Sequence, residues 1–221
     1  MRSEFKKRIF TSFLLIFLLI AMYFYSFIMI VALIVIATIC WIEFYAIISK
    51  IIKRNKPKDI LLRFLFKAIS LLYLSLLVFF ILSIESHYSN LKFYLLYSIL
   101  ISISSDIGGL IIGRRFKGKK LTKISPNKTI SGSIGAFIFS LFLIPLFNEK
   151  LIDYGFLNII MITMLISLTS QLGDLFISLL KRKAKVKDTS NLLPGHGGVL
   201  DRVDGIIFAI PVGIYLLYIF K

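Results

Sequence analysis

Long apolar runs separated by short basic segments set the pattern of this chain. From Ile9 to Ser49 there is no Pro or Gly, and Glu43 is the only charged side chain. As one helix at ~1.5 Å per residue, that run would be about twice the thickness of a bilayer's hydrocarbon core. The pattern therefore predicts two antiparallel spans turning near Tyr23–Ser26, where aromatic rings suit the membrane interface. Further spans are expected at about 60–82, 92–113, 132–147, 155–180 and 205–220. The fifth and seventh are short enough to be tilted or to stop before crossing fully. The expected class is all-α: a polytopic transmembrane helical bundle of about seven spans. Residues 1–90 would hold the first three spans and 91–221 a catalytic region, within a single membrane domain.

Composition agrees. The 221 residues are 58% hydrophobic with a mean hydropathy of +0.90, too little polar surface for a soluble domain. The first run is several times longer than the apolar core of a secretory signal and lacks a small-residue cleavage site. It is expected to be retained. The single cysteine, Cys40, lies inside an apolar run, which excludes an intrachain disulfide and a cysteine metal site.

The net charge of +16 would suggest nucleic acid in a soluble protein; its placement argues otherwise. With the N-terminus inside, the segments 1–8, 50–59, 114–131 and 181–204 carry 4, 5, 7 and 6 Lys/Arg, and the intervening segments only Lys150. Basic loops flanking spans mark the cytoplasmic side and attract anionic lipid and nucleotide. Nucleic acid is not an expected partner.

Acids within spans are costly and need a partner or an aqueous cavity. Glu43, Asp106 and Asp174 qualify. Asp106 precedes Arg114 by eight residues and Asp174 precedes Lys181 by seven, which sets both roughly 10–12 Å below the basic loops. Matched depth implies a cavity open to the cytoplasm; pairing of each acid with a basic side chain inside the bundle is the plainer alternative. Glu43 reads as structural.

A second cluster runs Pro194-Gly195-His196-Gly197-Gly198-Val199-Leu200-Asp201-Arg202-Val203-Asp204. Glycines around a histidine let backbone amides converge on an anion. Asp201 and Asp204 would share a helix face. With Asp174 they could form an all-oxygen cage of the kind Mg²⁺ prefers when it carries phosphates. A turn capped by acids at a helix start is the alternative. His196 reads either as a substrate contact or as a satisfied structural donor. The third element is the basic loop 113–120, followed by Ser125-Pro126-Asn127-Lys128-Thr129, whose hydroxyls and cations suit phosphates.

These stretches are similar to the phosphatidate cytidylyltransferases. The C-terminal match comprises Ser178-Leu179-Leu180-Lys181-Arg182, Lys187-Asp188 and 193–204, preceded by Gln171-Leu172-Gly173-Asp174-Leu175. A middle match comprises Asp106, Gly108, Gly113-Arg114, Lys120-Leu121, Ile124-Ser125-Pro126, Lys128-Thr129 and Gly132. The resemblance is clear from about residue 92 onward and faint before it, where Trp41-x-Glu43 is similar to a family feature. Ser131 and Ile177 stand where the family usually has Glu, and Leu110 where it has an aromatic residue. The chain is also short for the family, as if lacking N-terminal spans.

The resemblance implies that CTP and phosphatidic acid give CDP-diacylglycerol and pyrophosphate, at the cytoplasmic face of a bacterial inner membrane. Under it, Asp174, Asp201 and Asp204 would hold Mg²⁺, with Asp106 a further ligand and a second cation left open; His196 joins these acids as a catalytic candidate. Arg114, Ser125, Lys128, Thr129, Lys181, Arg182, Gly197, Gly198 and Arg202 would bind phosphates. Expected partners are CTP, phosphatidic acid and the bilayer, with a homodimer as an open alternative. Two rival readings remain: a lipid-alcohol kinase that uses CTP and releases CDP, and an ion transporter.

Overall fold

A computed structural model describes residues 2–53, 56–87, 92–122, 125 and 128–220. Pro126 and Asn127 of the predicted phosphate loop, and Ile124 before them, lie outside the described residues. The chain is helical and forms two compact units. One comprises Met1–Ser86 with Leu180–Val203, the other His87–Leu179 with Asp204–Lys221. Among the described residues, five helices are long and apolar enough to cross a membrane. Ile9–Phe24 and Ile130–Leu146 are apolar but shorter. The protein is thus a multi-pass helical membrane protein.

The first unit begins with α1 (Arg2–Phe24), α2 (Ser26–Ile51) and α3 (Pro57–His87). α1 and α2 are separated by Tyr25 alone, in extended backbone at φ −120°, ψ 103°. The predicted turn near Tyr23–Ser26 falls here. Ser26 at the start of α2 donates to Glu85 near the end of α3 (2.6 Å), and the Trp41 indole donates to the Lys67 carbonyl (3.1 Å). α2 and α3 therefore run antiparallel. Phe64, Ile69, Leu72, Leu76 and Phe79 on α3 are exposed, as expected of side chains that meet lipid rather than water.

The second unit is built on α4 (Lys92–Phe116) and α5 (Ile130–Leu141), followed by the single turns α6 (Leu143–Leu146) and α7 (Asn148–Leu151) and a 3₁₀ turn, Ile152–Tyr154. The predicted fifth span, 132–147, is thus broken at Phe142 into a twelve-residue helix and a short continuation. α8 (Phe156–Lys183), as far as Leu179, and α10 (Ile206–Ile219) complete the unit; the end of α8 from Leu180 and the one-turn α9 (Leu200–Val203) belong to the first unit.

Two kinds of small residue hold this unit together. α4 and α5 pack through glycine: a Cβ on Gly108 would lie 2.5 Å from the Gly135 carbonyl and 2.5 Å from the Phe139 Cβ. Close backbone approach of this kind gives helices in lipid their contact, since lipid tails supply no hydrophobic drive. α4 and α8 pack through hydroxyls. Ser102 pairs with Ser170 (2.6 Å), Ser167 donates to Ser105 (3.1 Å), and Tyr97 pairs with Thr163 (2.8 Å). Thr163, Ser167, Ser170 and Asp174 recur at helical spacing, so this row carries Asp174 on the polar face of α8.

Candidate active site

In the second unit the candidate acid of the sequence motif is Asp174. Its carboxylate is ion-paired with Lys128, both side chains a quarter exposed, and accepts from Ser178 (3.3 Å). Lys128 is delivered by the loop between α4 and α5. Leu121 N–H donates to the Lys128 carbonyl (2.8 Å), Lys128 N–H to the Ser125 carbonyl (3.1 Å), and Ile130 N–H to the Lys119 carbonyl (3.0 Å). Thr129 caps α5 by accepting from Gly132 N–H (3.1 Å), and Ser131 donates to the Lys117 carbonyl (2.5 Å). Ser125 is buried. Pairing of Asp174 inside the bundle, the plainer expectation, is what the structure has.

Asp204 is buried, and its side chain accepts from Gly205 N–H (2.9 Å). A Cβ on Gly173 would lie 2.7 Å from the Asp204 carbonyl, so Gly173 lets the backbone of Asp204 approach the residue beside Asp174. Asp106 and Arg114 are both exposed on α4. Ile177, which stands where the family usually has Glu, is 2% exposed; a carboxylate there would need a buried partner.

In the first unit the acid is Asp201, with a side chain 5% exposed. One oxygen accepts from the Lys181 ammonium (2.6 Å). The other accepts from Thr189 N–H (2.8 Å), the Thr189 hydroxyl (2.9 Å) and Gly198 N–H (3.0 Å). The glycine turn that carries it is closed by Leu193 N–H to the Gly197 carbonyl (2.8 Å) and His196 N–H to the Leu193 carbonyl (2.9 Å). Gly195 and Gly197 sit at φ +76° and +82°, the left-handed region that glycine enters without steric cost. The Gly198 amide, expected to meet an anionic substrate, meets the protein's own carboxylate instead.

Glu43 is the residue the sequence undervalued. It is 3% exposed on α2. It accepts from the Ser190 hydroxyl (2.5 Å), Val199 N–H (3.1 Å), Leu200 N–H (2.8 Å) and the Thr189 hydroxyl (2.8 Å). The Val199 and Leu200 amides are those left open at the start of α9, so Glu43 caps that helix from 157 residues away. His196 is held from α1: its Nδ1 pairs with the Thr11 hydroxyl, and its Nε2 lies 3.3 Å from the Ser12 hydroxyl. Its carbonyl accepts two bonds from the Arg202 guanidinium (3.0 and 2.6 Å). Arg182 is exposed at the end of α8.

Each unit thus presents an aspartate balanced by a lysine, on the segments that match in sequence. Within either unit, no group of three or more His, Cys, Asp or Glu side chains gathers among the described residues. Residues 1–220 match the cytidylyltransferase family. The chain belongs to the cytidylyltransferase family.

Similar members of this family are bacterial. The chain is 38% identical over 130 residues to the phosphatidate cytidylyltransferase of Bacillus subtilis (strain 168), covering 58% of this chain and 48% of that protein. It is 44% identical over 123 residues to the enzyme of that name from Staphylococcus haemolyticus (strain JCSC1435), covering 54% and 46%. For Staphylococcus aureus (strain COL) the figure is 42% over 123 residues, with the same coverage. The chain spans about half the length of the curated relatives it matches.

Proposed function

We propose that this chain transfers the cytidylyl group of CTP to phosphatidic acid at the cytoplasmic face of a bacterial inner membrane, giving CDP-diacylglycerol and pyrophosphate. The observation that carries the reading is the pair of lysine–aspartate contacts, Lys128–Asp174 and Lys181–Asp201. Family membership and the names of the bacterial relatives support it. The basic segments 1–8, 50–59, 114–131 and 181–204 support a cytoplasmic N-terminus and site.

In the reaction, a phosphate oxygen of phosphatidic acid attacks the α-phosphorus of CTP. The bond from that phosphorus to the bridging oxygen breaks, and pyrophosphate leaves with the electron pair. The nucleophile is already an anion, so the barrier lies in bringing two polyanions together and in the charge on the leaving group. Lys128 and Lys181 would neutralise phosphate once their ammonium groups leave their aspartates, and Arg114 would add charge from the end of α4.

Asp174 and Asp204, and separately Asp201, would hold divalent cation, with Asp106 a further acceptor. At Asp174 and Asp204 the donors fit in kind: they are carboxylate oxygens, the ligands Mg²⁺ prefers. Asp174 and Asp201 also each already balance one positive charge. Bound there, Mg²⁺ would supply further neutralisation of the nucleotide phosphates. Lys181 and three other donors occupy Asp201, so a cation at that residue replaces the ammonium rather than joining it.

The test is product analysis with purified full-length protein, CTP, Mg²⁺ and phosphatidate, with each component omitted in turn. CDP-diacylglycerol and pyrophosphate are expected, and both should vanish in Asp201→Asn. Release of CDP would instead mark a CTP-dependent lipid kinase. Near-normal turnover by Asp201→Asn would refute the cation role.

A further inference from the structure

On α2 and α3 two contacts bracket an uncharged stretch. Ser26 meets Glu85 at one end, and the Trp41 indole meets the Lys67 carbonyl at the other. Between them, residues 27–40 of α2 and 68–84 of α3 contain no Asp, Glu, Lys, Arg or His. At ~1.5 Å per residue the α3 stretch is about 25 Å long, near the thickness of a hydrocarbon core. Trp41 and Lys67 therefore stand at the edge of that core, at the headgroup level where tryptophan and tyrosine collect.

There Lys67 is half-buried. Its ammonium lies over two rings, 5.1 Å from the Trp41 centroid and 4.6 Å from the Tyr45 centroid. Ring faces are partly negative but bring no full counter-charge. Among the described residues, no carboxylate forms an ion pair with Lys67. A cation at the edge of a bilayer takes its counter-charge from a protein partner or from the headgroup layer. Trp41 and Tyr45 are one turn apart on α2, with Glu43 between them on another face. Tyr45 is 38% exposed and Glu43 3%. One turn of α2 thus holds the motif loop on one side and meets the headgroup layer on the other.

We propose that Lys67, seated on Trp41 and Tyr45, binds the phosphate of a net-anionic phospholipid. The rings hold one side of the ammonium at headgroup level, and its N–H donors are left for phosphate oxygens. A zwitterionic headgroup carries its own cation beside the phosphate, so the site selects lipids of net negative charge. It lies apart from the aspartates of the proposed reaction and needs no assumption about that reaction.

Trp41 is the only tryptophan in the chain, so its fluorescence reports on this position alone. The experiment places the full chain in phosphatidylcholine nanodiscs. These are doped with lipid that carries a spin-label quencher high on one acyl chain, under either a phosphatidylglycerol or a phosphatidylcholine headgroup. Salt at about 0.5 M screens the exposed basic segments more than a half-buried cation. Labelled phosphatidylglycerol should quench Trp41 with about 5-fold higher affinity than labelled phosphatidylcholine, the usual contribution of one cation near a membrane surface. Lys67→Gln should abolish that preference and Lys67→Arg should keep it. Lys58→Gln removes the same charge from an exposed position on the same helix and should leave the preference intact. Millimolar inorganic phosphate should not compete.

A wild type that does not distinguish the two headgroups would overturn the proposal. So would a preference that survives Lys67→Gln, or one that falls equally in Lys58→Gln. Competition by inorganic phosphate would mark a site for soluble anions and overturn the lipid assignment. Should Lys67→Gln fail to fold, Lys67→Met set against Lys67→Arg carries the same comparison. No turnover is read, so a protein that makes no CDP-diacylglycerol yet shows the Lys67-dependent preference loses the reaction assignment and keeps this site.

Discussion

The two units solve the same problem by different means. In the second, helices meet through glycine and through hydroxyls paired across α4 and α8, and each contact is small and near neutral. In the first, the loop 188–200 has little regular structure and is held by two buried carboxylates that between them accept seven hydrogen bonds at a time, the Thr189 hydroxyl serving one or the other. A helix satisfies its own backbone, so its partners need only fit. A loop must have its buried amides satisfied from outside, and ionised acceptors make the stronger bonds. The loop should therefore fail sharply and the helices gradually.

The largest effect is expected at Gly198. An alanine Cβ would come within 2.6 Å of the Glu43 carboxylate and closer still to the Thr189 hydroxyl. Because both neighbours are pinned, Gly198→Ala should remove detectable turnover. It should also cost about 3 kcal/mol or more, the range for breaking a buried polar network, read by thermal melting in detergent.

Next comes a contrast between the two lysines. Lys181 and Asp201 are 13% and 5% exposed, against 25% for both Lys128 and Asp174. Lys181→Met should cost about 3–5 kcal/mol because it strands a buried charge. Lys128→Met should cost about 1 kcal/mol, closer to a surface pair. Equal losses on denaturation would erase the distinction between the units. Turnover should fall in both variants.

Smaller effects belong to the helix packing. Gly108→Ala forces a methyl against the Gly135 carbonyl and should cost about 1–3 kcal/mol by overpacking, with amide exchange rising in α4 and α5 alone. Ser102→Ala removes one interhelical bond to Ser170 and should cost about 0.6 kcal/mol, the mean for such bonds in lipid. A loss as large as that at Gly198 would mean that the hydroxyl row is as unforgiving as the loop.

This contrast also explains what could be read from the residues alone. The spans were legible because hydropathy and the single-residue break at Tyr25 are local properties. Asp174 was legible for a local reason too, as an acid within an apolar span. The ends were less so: α5 stops at Leu141 rather than running to Phe147, because nothing in 142–147 announces a bend except Pro145. The partners of the motif were not legible at all. Thr11 reaches His196 across 185 positions and Glu43 reaches Thr189 across 146, and no periodicity links residues so far apart. Glu43 did carry one signal, a lone acid in an apolar run. That signal points to a structural role, and the four donors show what it structures.

That separation has a consequence for biosynthesis. When α2 leaves the ribosome, the segment that will satisfy Glu43 has not been made, and at 5–20 residues per second it follows about 7–30 s later. Until then a carboxylic acid sits in a nascent membrane helix without the four donors it will later have. The apolar remainder of α2, with a mean hydropathy of 2.7 over its best window, must carry that segment into the bilayer unaided. Ribosomes stalled before Thr189 should therefore leave α2 more open to aqueous labelling near Glu43 than the finished chain does.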